Sequence, residues 1–182
     1  EIFLLANNVL LVVSAASIFL GTMFPMIYQA LTDDLISIGP PYFNAIFGPL
    51  MILLILVLGV GPMSRWKRTS TSYLVQQLAK VAAASIAIGV VLPLLVLFEI
   101  SFAAIICVVL ASWIVLSMAK DLRNKIANKE TVSKGLRTLS LSYYGMQIAH
   151  IGVAVMLIGV GLTSYFSTER SVLLAPGATV TL

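Results

Sequence analysis

The 182 residues are 60% hydrophobic and 10% charged, with a mean hydropathy of +1.06, which leaves too little polar surface to solvate a globular domain of this length and excludes a water-soluble enzyme. The net charge of +4 is not a nucleic-acid footprint, because the Lys and Arg residues are confined to short connections between long apolar runs, the pattern that sets orientation in a membrane. The sequence opens at Glu1 rather than Met and stops at Leu182 within what reads as a strand pair, so a segment of a longer protein is expected.

Residues 2–28 carry no charge and, at about 1.5 Å per residue, are long enough to cross a hydrocarbon core of about 30 Å, so the first span is predicted there, with Pro25 near its far end. The connection 29–41 holds Asp33 and Asp34 but no Lys or Arg, and ends in Gly39, Pro40 and Pro41. Residues 42–60 form the second span, closed by Gly61 and Pro62. A basic cluster follows, Arg65, Lys67 and Arg68 around Trp66, an aromatic of the kind found at headgroup level. Residues 81–118 contain one charge, Glu99, and as a single helix would extend about 57 Å, nearly twice the bilayer core. The run must therefore turn back, and the turn is placed at Glu99, Ile100 and Ser101, between a third span at 81–98 and a fourth at 102–118. Lys80 sits at the near end of the third span, where its stem can snorkel.

The connection 120–137 carries Lys120, Arg123, Lys125, Lys129, Lys134 and Arg137 against Asp121 and Glu130, and the fifth span is predicted at 139–166. Five spans put the two basic connections, 63–72 and 120–137, on one side, and the positive-inside rule makes that side cytoplasmic. The carboxyl tail 167–182 then lies outside, in the periplasm of a bacterium. Within it, Val172, Leu173 and Leu174, then Pro176-Gly177, then Val180 read as two strands about a type II turn, the start of a periplasmic β element. The expected fold is thus an all-α integral membrane protein of about five transmembrane helices, 1–166, with a short β element at its carboxyl end.

His150 is the only histidine and lies about ten residues in from the basic connection, where an ionisable group is costly and faces the bundle interior or a cofactor. At about 100° per residue, Gly145, Ala149, Gly152, Met156 and Gly159 share one narrow stripe, the expected packing face. His150 points about 140° away from it, beside Met146, Val153, Leu157, Ala154 and Gly161, which leaves room for a planar porphyrin with imidazole as axial ligand. Three readings of those residues stay open: a histidine hydrogen-bonded to a neighbouring helix, a haem ligand, and a group in proton or quinol chemistry. Met146, one turn before His150 on the same helix, cannot reach the opposite side of a haem ring, so a second ligand comes from elsewhere.

Other polar and special residues carry less. Asn7 and Asn8 suit interhelical hydrogen bonds, a quinone or an interfacial position, Pro25 and Pro93 read as tolerated kinks, and residues 65–68 read as a topology signal. Cys107, inside an apolar run, reads as a small buried hydrophobe. The sequence has no Gly-rich phosphate loop, no paired His/Cys metal spacing, and no internal repeat.

Phe3-Leu4-Leu5-Ala6-Asn7-Asn8, Gly21-Thr22-Met23-Phe24-Pro25, Ile38-Gly39-Pro40-Pro41-Tyr42-Phe43-Asn44 and Gly61-Pro62 with Arg65-Trp66-Lys67-Arg68 stand in order along the chain. These blocks resemble the cytochrome c maturation haem lyase family of the CcmF/NrfE type. The run from Gly145-Met146-Gln147-Ile148-Ala149-His150 to Val155 is similar to that family's haem-bearing helix, and Leu174-Ala175-Pro176-Gly177 to its periplasmic tail. The resemblance implies a bacterial inner-membrane protein that takes haem from a periplasmic haem chaperone and helps attach it to apocytochrome c. It further implies a membrane haem b, reduced by quinol, with two histidine ligands, of which His150 matches one. The family's tryptophan-rich haem-handling motif, periplasmic histidines and other membrane histidine belong to a region upstream of these residues. The segment is therefore expected to be the carboxyl-side membrane part of a haem lyase, working with the remainder of that protein and not alone. Rival readings are a b-type electron-transfer membrane subunit and a haem permease component.

Overall fold

In the computed structural model the described residues are 2–63, 71–96, 101–127, 129 and 131–167. Among them the chain forms six α-helices and no strand: α1 (Ile2–Thr32), α2 (Pro40–Val60) running into a 3-10 turn (Gly61–Met63), α3 (Thr71–Val96), α4 (Phe102–Ile126), α5 (Val132–Arg137) and α6 (Leu141–Phe166). All but α5 are long and apolar enough to cross a membrane, and the protein is a multi-pass membrane protein. Helices are forced on such runs because hydrocarbon offers no partner for an exposed peptide group. The predicted strand pair of the tail, the basic cluster at 65–68 and most of the predicted turn at 99–101 lie outside the described residues.

The helix ends follow local chemistry. α1 stops where Asp33 takes a left-handed φ of 56° and its N–H donates to the Gln29 carbonyl at 3.0 Å. Pro40 and Pro41 open α2, where a missing N–H costs nothing. The Ser101 hydroxyl caps α4 by accepting from Ala104 N at 3.3 Å, and Ser140 caps α6 by accepting from Tyr143 N at 3.2 Å. Pro25, Pro49 and Pro93 are carried inside helices, as membrane bundles tolerate.

Several elements differ from the sequence expectation: α1 runs on to Thr32, past the predicted end at 28, and α3 begins at Thr71, ten residues before the predicted 81. α4 continues through Lys120, Arg123 and Lys125 to Ile126 and does not stop at Met118. A helix does not end where its sequence turns polar: Arg123 and Lys125 in the last turn complement the negative end of the helix dipole, and their stems reach the surface. The connection beyond it holds a further short helix, α5, tied to α6 by the Tyr144 hydroxyl donating to the Leu136 carbonyl at 2.9 Å.

α4 is the central element, packed against α6, α3 and α2, while α1 lies against α2. The core gathers Ile55 of α2, Leu110, Ile114 and Met118 of α4, and Ala154 and Leu157 of α6. Trp113 is buried and donates its indole N–H to the Leu56 carbonyl at 3.2 Å, which pins α2 to α4. Small residues set how closely α4 is approached: a Cβ on Gly89 would lie 2.8 Å from Val109 N and 2.7 Å from Val109 Cα.

Candidate functional site

The packing face of α6 is formed by Tyr143, Gln147, Ala154, Leu157 and Gly161, which are buried at alternating spacings of four, seven, three and four. His150 falls in the gap of that series and is half-buried. This overturns the assignment of the packing face to the glycine stripe. Gly145, Ala149, Gly152, Met156 and Gly159 are exposed in this chain, and a Cβ added at any of the three glycines would meet nothing within 4 Å. Gly161 is the glycine that packs, against Cys107 and Ala104 of α4. Cys107, expected to be buried, is half-buried at this seam, where it packs against Gly161.

The imidazole is held by its own helix. His150 Nδ1 lies 2.8 Å from the Met146 carbonyl oxygen. A carbonyl can only accept, so Nδ1 carries the proton, and in the neutral ring the lone pair is on Nε2. Among the described residues Nε2 makes no hydrogen bond, so the reading of His150 as a bridge to another helix finds no partner here. Metal-bound histidines characteristically show this arrangement, with one ring nitrogen donating to a carbonyl and the other facing the ion. A single imidazole on an apolar helix, with its tautomer fixed and its ring not sealed by the bundle, fits an axial ligand of haem. The Met146 side chain packs against the core, and its backbone carbonyl orients the ring.

One helical turn from His150 lies a polar cluster that the sequence did not reveal. The Tyr143 hydroxyl donates to Asp121 Oδ2 at 2.8 Å, and Gln147 Nε2 donates to the Tyr143 oxygen at 2.5 Å. Lys125 Nζ lies 3.5 Å from Asp121 Oδ2 and 3.9 Å above the Tyr143 ring. Asp121 is 6% exposed, so this carboxylate is buried where α4 meets α6 and its partners compensate it. The signal that could have found it is the polar series Tyr143, Gln147, His150 at spacings of four and three along one helix face. Ser117 of α4 is fully buried, with a hydroxyl that has no partner among the described residues. Asn7 is half-buried and Asn8 exposed, and no hydrogen bond joins either to another helix among the described residues.

Basic side chains gather at one end of the bundle. Lys120 Nζ donates to the Gln77 carbonyl at 3.4 Å, bringing the start of α3 and the end of α4 together, and Arg123, Lys125, Lys129, Lys134 and Arg137 follow. Asp33 and Asp34 lie in the connection after α1, at the other end. No group of three or more His, Cys, Asp or Glu side chains able to hold a metal ion occurs among the described residues.

Known proteins share this sequence along its whole length. The chain is 46% identical to the cytochrome c-type biogenesis protein CcmF of Pseudomonas fluorescens over all 182 residues, which make up 27% of that protein. It is 35% identical over 181 residues, 99% of this chain, to CcmF of Escherichia coli strain K12, again 27% of that protein. It is 32% identical over 185 aligned positions, 98% of this chain, to the cytochrome c-type biogenesis protein NrfE of Haemophilus influenzae, 27% of that protein. The chain thus spans about a quarter of the length of the curated relatives it matches. No protein-family model and no solved structure matches it.

Proposed function

Because the chain belongs to the CcmF/NrfE family of cytochrome c-type biogenesis proteins, we propose that it is a membrane portion of a haem lyase in which His150 Nε2 is one axial ligand of a haem b. The observation that carries this reading is the fixed tautomer: the Met146 carbonyl takes the Nδ1 proton and leaves Nε2 its lone pair on a half-buried, apolar helix. When bound, such a haem supplies one-electron transfer between quinol and the site where haem is attached to apocytochrome c. The chain's own part is to hold the imidazole. α6 supplies the ligand, α4 backs it through the seam at Ala154, Leu157 and Gly161, and the Asp121–Tyr143 bond fixes the rotation of α6 at its polar end.

In this reading the protein lies in the bacterial inner membrane with its basic end cytoplasmic and its carboxyl tail periplasmic, supported by the separation of Lys and Arg from Asp33 and Asp34. The second histidine ligand comes from the remainder of the haem lyase, and a periplasmic haem chaperone, apocytochrome c and quinol are its partners. The test is covalent haem on a reporter cytochrome c, in a strain whose only copy of the full-length protein carries His150→Ala. Stained holocytochrome is expected to fall by on the order of tenfold or more, at unchanged membrane content of the variant, since the apolar spans that direct insertion are intact. Normal maturation would remove the ligand role.

A further inference from the structure

The basic end of the α3–α4 pair holds a groove of about 380 Å³ whose chemistry the haem reading does not use. Its polar end is formed by Lys80 of α3 and by Lys120, Arg123 and Asn124 of α4. Its apolar floor is formed by Val81, Ala84, Leu116 and Ala119. Among the described residues no carboxylate lines it. Asp121, the nearest acid in sequence, is on another face of α4, engaged with Tyr143 and Lys125. Three cations therefore converge at a membrane boundary without a counter-ion from the lining, which their mutual repulsion opposes unless an anion joins them.

Farther along α3, Ala87, Ile88, Val91, Leu92 and Leu95 line a wholly apolar groove of about 350 Å³. Ala84, Ile88, Val91 and Leu95 follow one another by four, three and four residues, so the second groove continues the same face of α3 away from the cations. From Ala84 to Leu95 the helix rises about 16 Å, roughly half the hydrocarbon thickness and so the depth of one leaflet. Cations with an amide at the surface, opening into a leaflet-deep apolar track, match one ligand class.

We propose that this face of α3 and α4 binds an anionic phospholipid, its phosphodiester held by Lys80, Lys120 and Arg123 and an acyl chain laid along the α3 track. Arg123 offers the planar donor pair that phosphate oxygens accept, and the two lysines act as point charges beside it. Lys120 is held in place by its bond to the Gln77 carbonyl. The site does not depend on haem ligation by His150.

The experiment is native mass spectrometry of the full-length protein in detergent, titrated with phosphatidylglycerol and with phosphatidylcholine of the same acyl chains. The wild type is expected to prefer phosphatidylglycerol by about tenfold or more. The variant K80Q/K120Q/R123Q is expected to lose that preference, while K129Q/K134Q/R137Q, with the same change in charge outside the groove, keeps it. K80R/K120R is expected to bind as the wild type does. Equal binding of the two lipids, or equal loss in both glutamine variants, would overturn the proposal. So would binding of inorganic phosphate as tight as that of the lipid, because the apolar track would then contribute nothing. If the triple variant fails to assemble, K120Q and R123Q singly decide the question: each is expected to weaken the preference several-fold, and no change in either refutes it.

Discussion

Replacing Gly89 by leucine is expected to cost the protein about 3 kcal/mol or more and to part α3 from α4. A Cβ at this position would stand 2.7 Å from Val109 Cα and 2.8 Å from Val109 N, so the obstruction is backbone, which no change of rotamer relieves. Truncating the neighbour gives the decisive control. Because the clash is with the main chain of Val109 and not only its methyls, Val109→Ala is expected to leave most of the loss in place. Gly48→Leu, where an added Cβ meets nothing within 4 Å, is expected to change stability by less than about 1 kcal/mol. Thermal unfolding in a fixed detergent measures all three. Equal behaviour of the Gly89 and Gly48 variants would show that α3 and α4 do not approach as closely as described.

The second large effect is expected at Asp121. Its carboxylate accepts from the Tyr143 hydroxyl at 2.8 Å and lies 3.5 Å from Lys125 Nζ, and it is buried at the α4–α6 seam. Asp121→Ala leaves a buried hydroxyl without its acceptor, at an expected cost of about 2 kcal/mol. Lys125 is substantially exposed, so the ion pair adds little to that figure. Asp121→Asn keeps an acceptor oxygen and is expected to cost about half as much. Tyr143→Phe removes the same bond from the other side, so the double variant D121A/Y143F is expected to fall short of the sum of its singles by about 1 kcal/mol. Strict additivity in chemical unfolding would mean that the two side chains do not interact.

The spans were legible because a charge in hydrocarbon is expensive: long charge-free runs interrupted by Asp33, Arg65 to Arg68, Glu99 and the 120–137 cluster leave little choice of where the helices lie. Their ends were less so. Lys120, Arg123 and Lys125 end the apolar run but extend α4, since charged side chains are good helix formers once they reach water. The orientation of α6 was misread for a different reason. Periodicity tells which residues share a face, so Gly145, Gly152 and Gly159 were rightly grouped, but it does not tell which face meets a neighbour. In this chain α4 meets the face with Tyr143, Gln147, Ala154 and Leu157, and Gly161 makes the close approach. A polar series inside an apolar helix was the better guide, because lone polar groups in a bundle seek partners. Asp121 was read as one acid in a basic connection, since its burial depends on α4 continuing past Met118. The groove at Lys80, Lys120 and Arg123 was likewise out of reach of the sequence, which separates Lys80 from Lys120 by forty residues.

The visible absorption spectrum of the intact, full-length protein, recorded in its oxidised and dithionite-reduced forms, decides whether His150 Nε2 binds haem iron. A Soret band and reduced b-type bands are expected in the wild type, both lost in His150→Ala at equal protein content. A wild-type protein without a Soret band, or a variant whose bands are unchanged, would contradict haem ligation by His150.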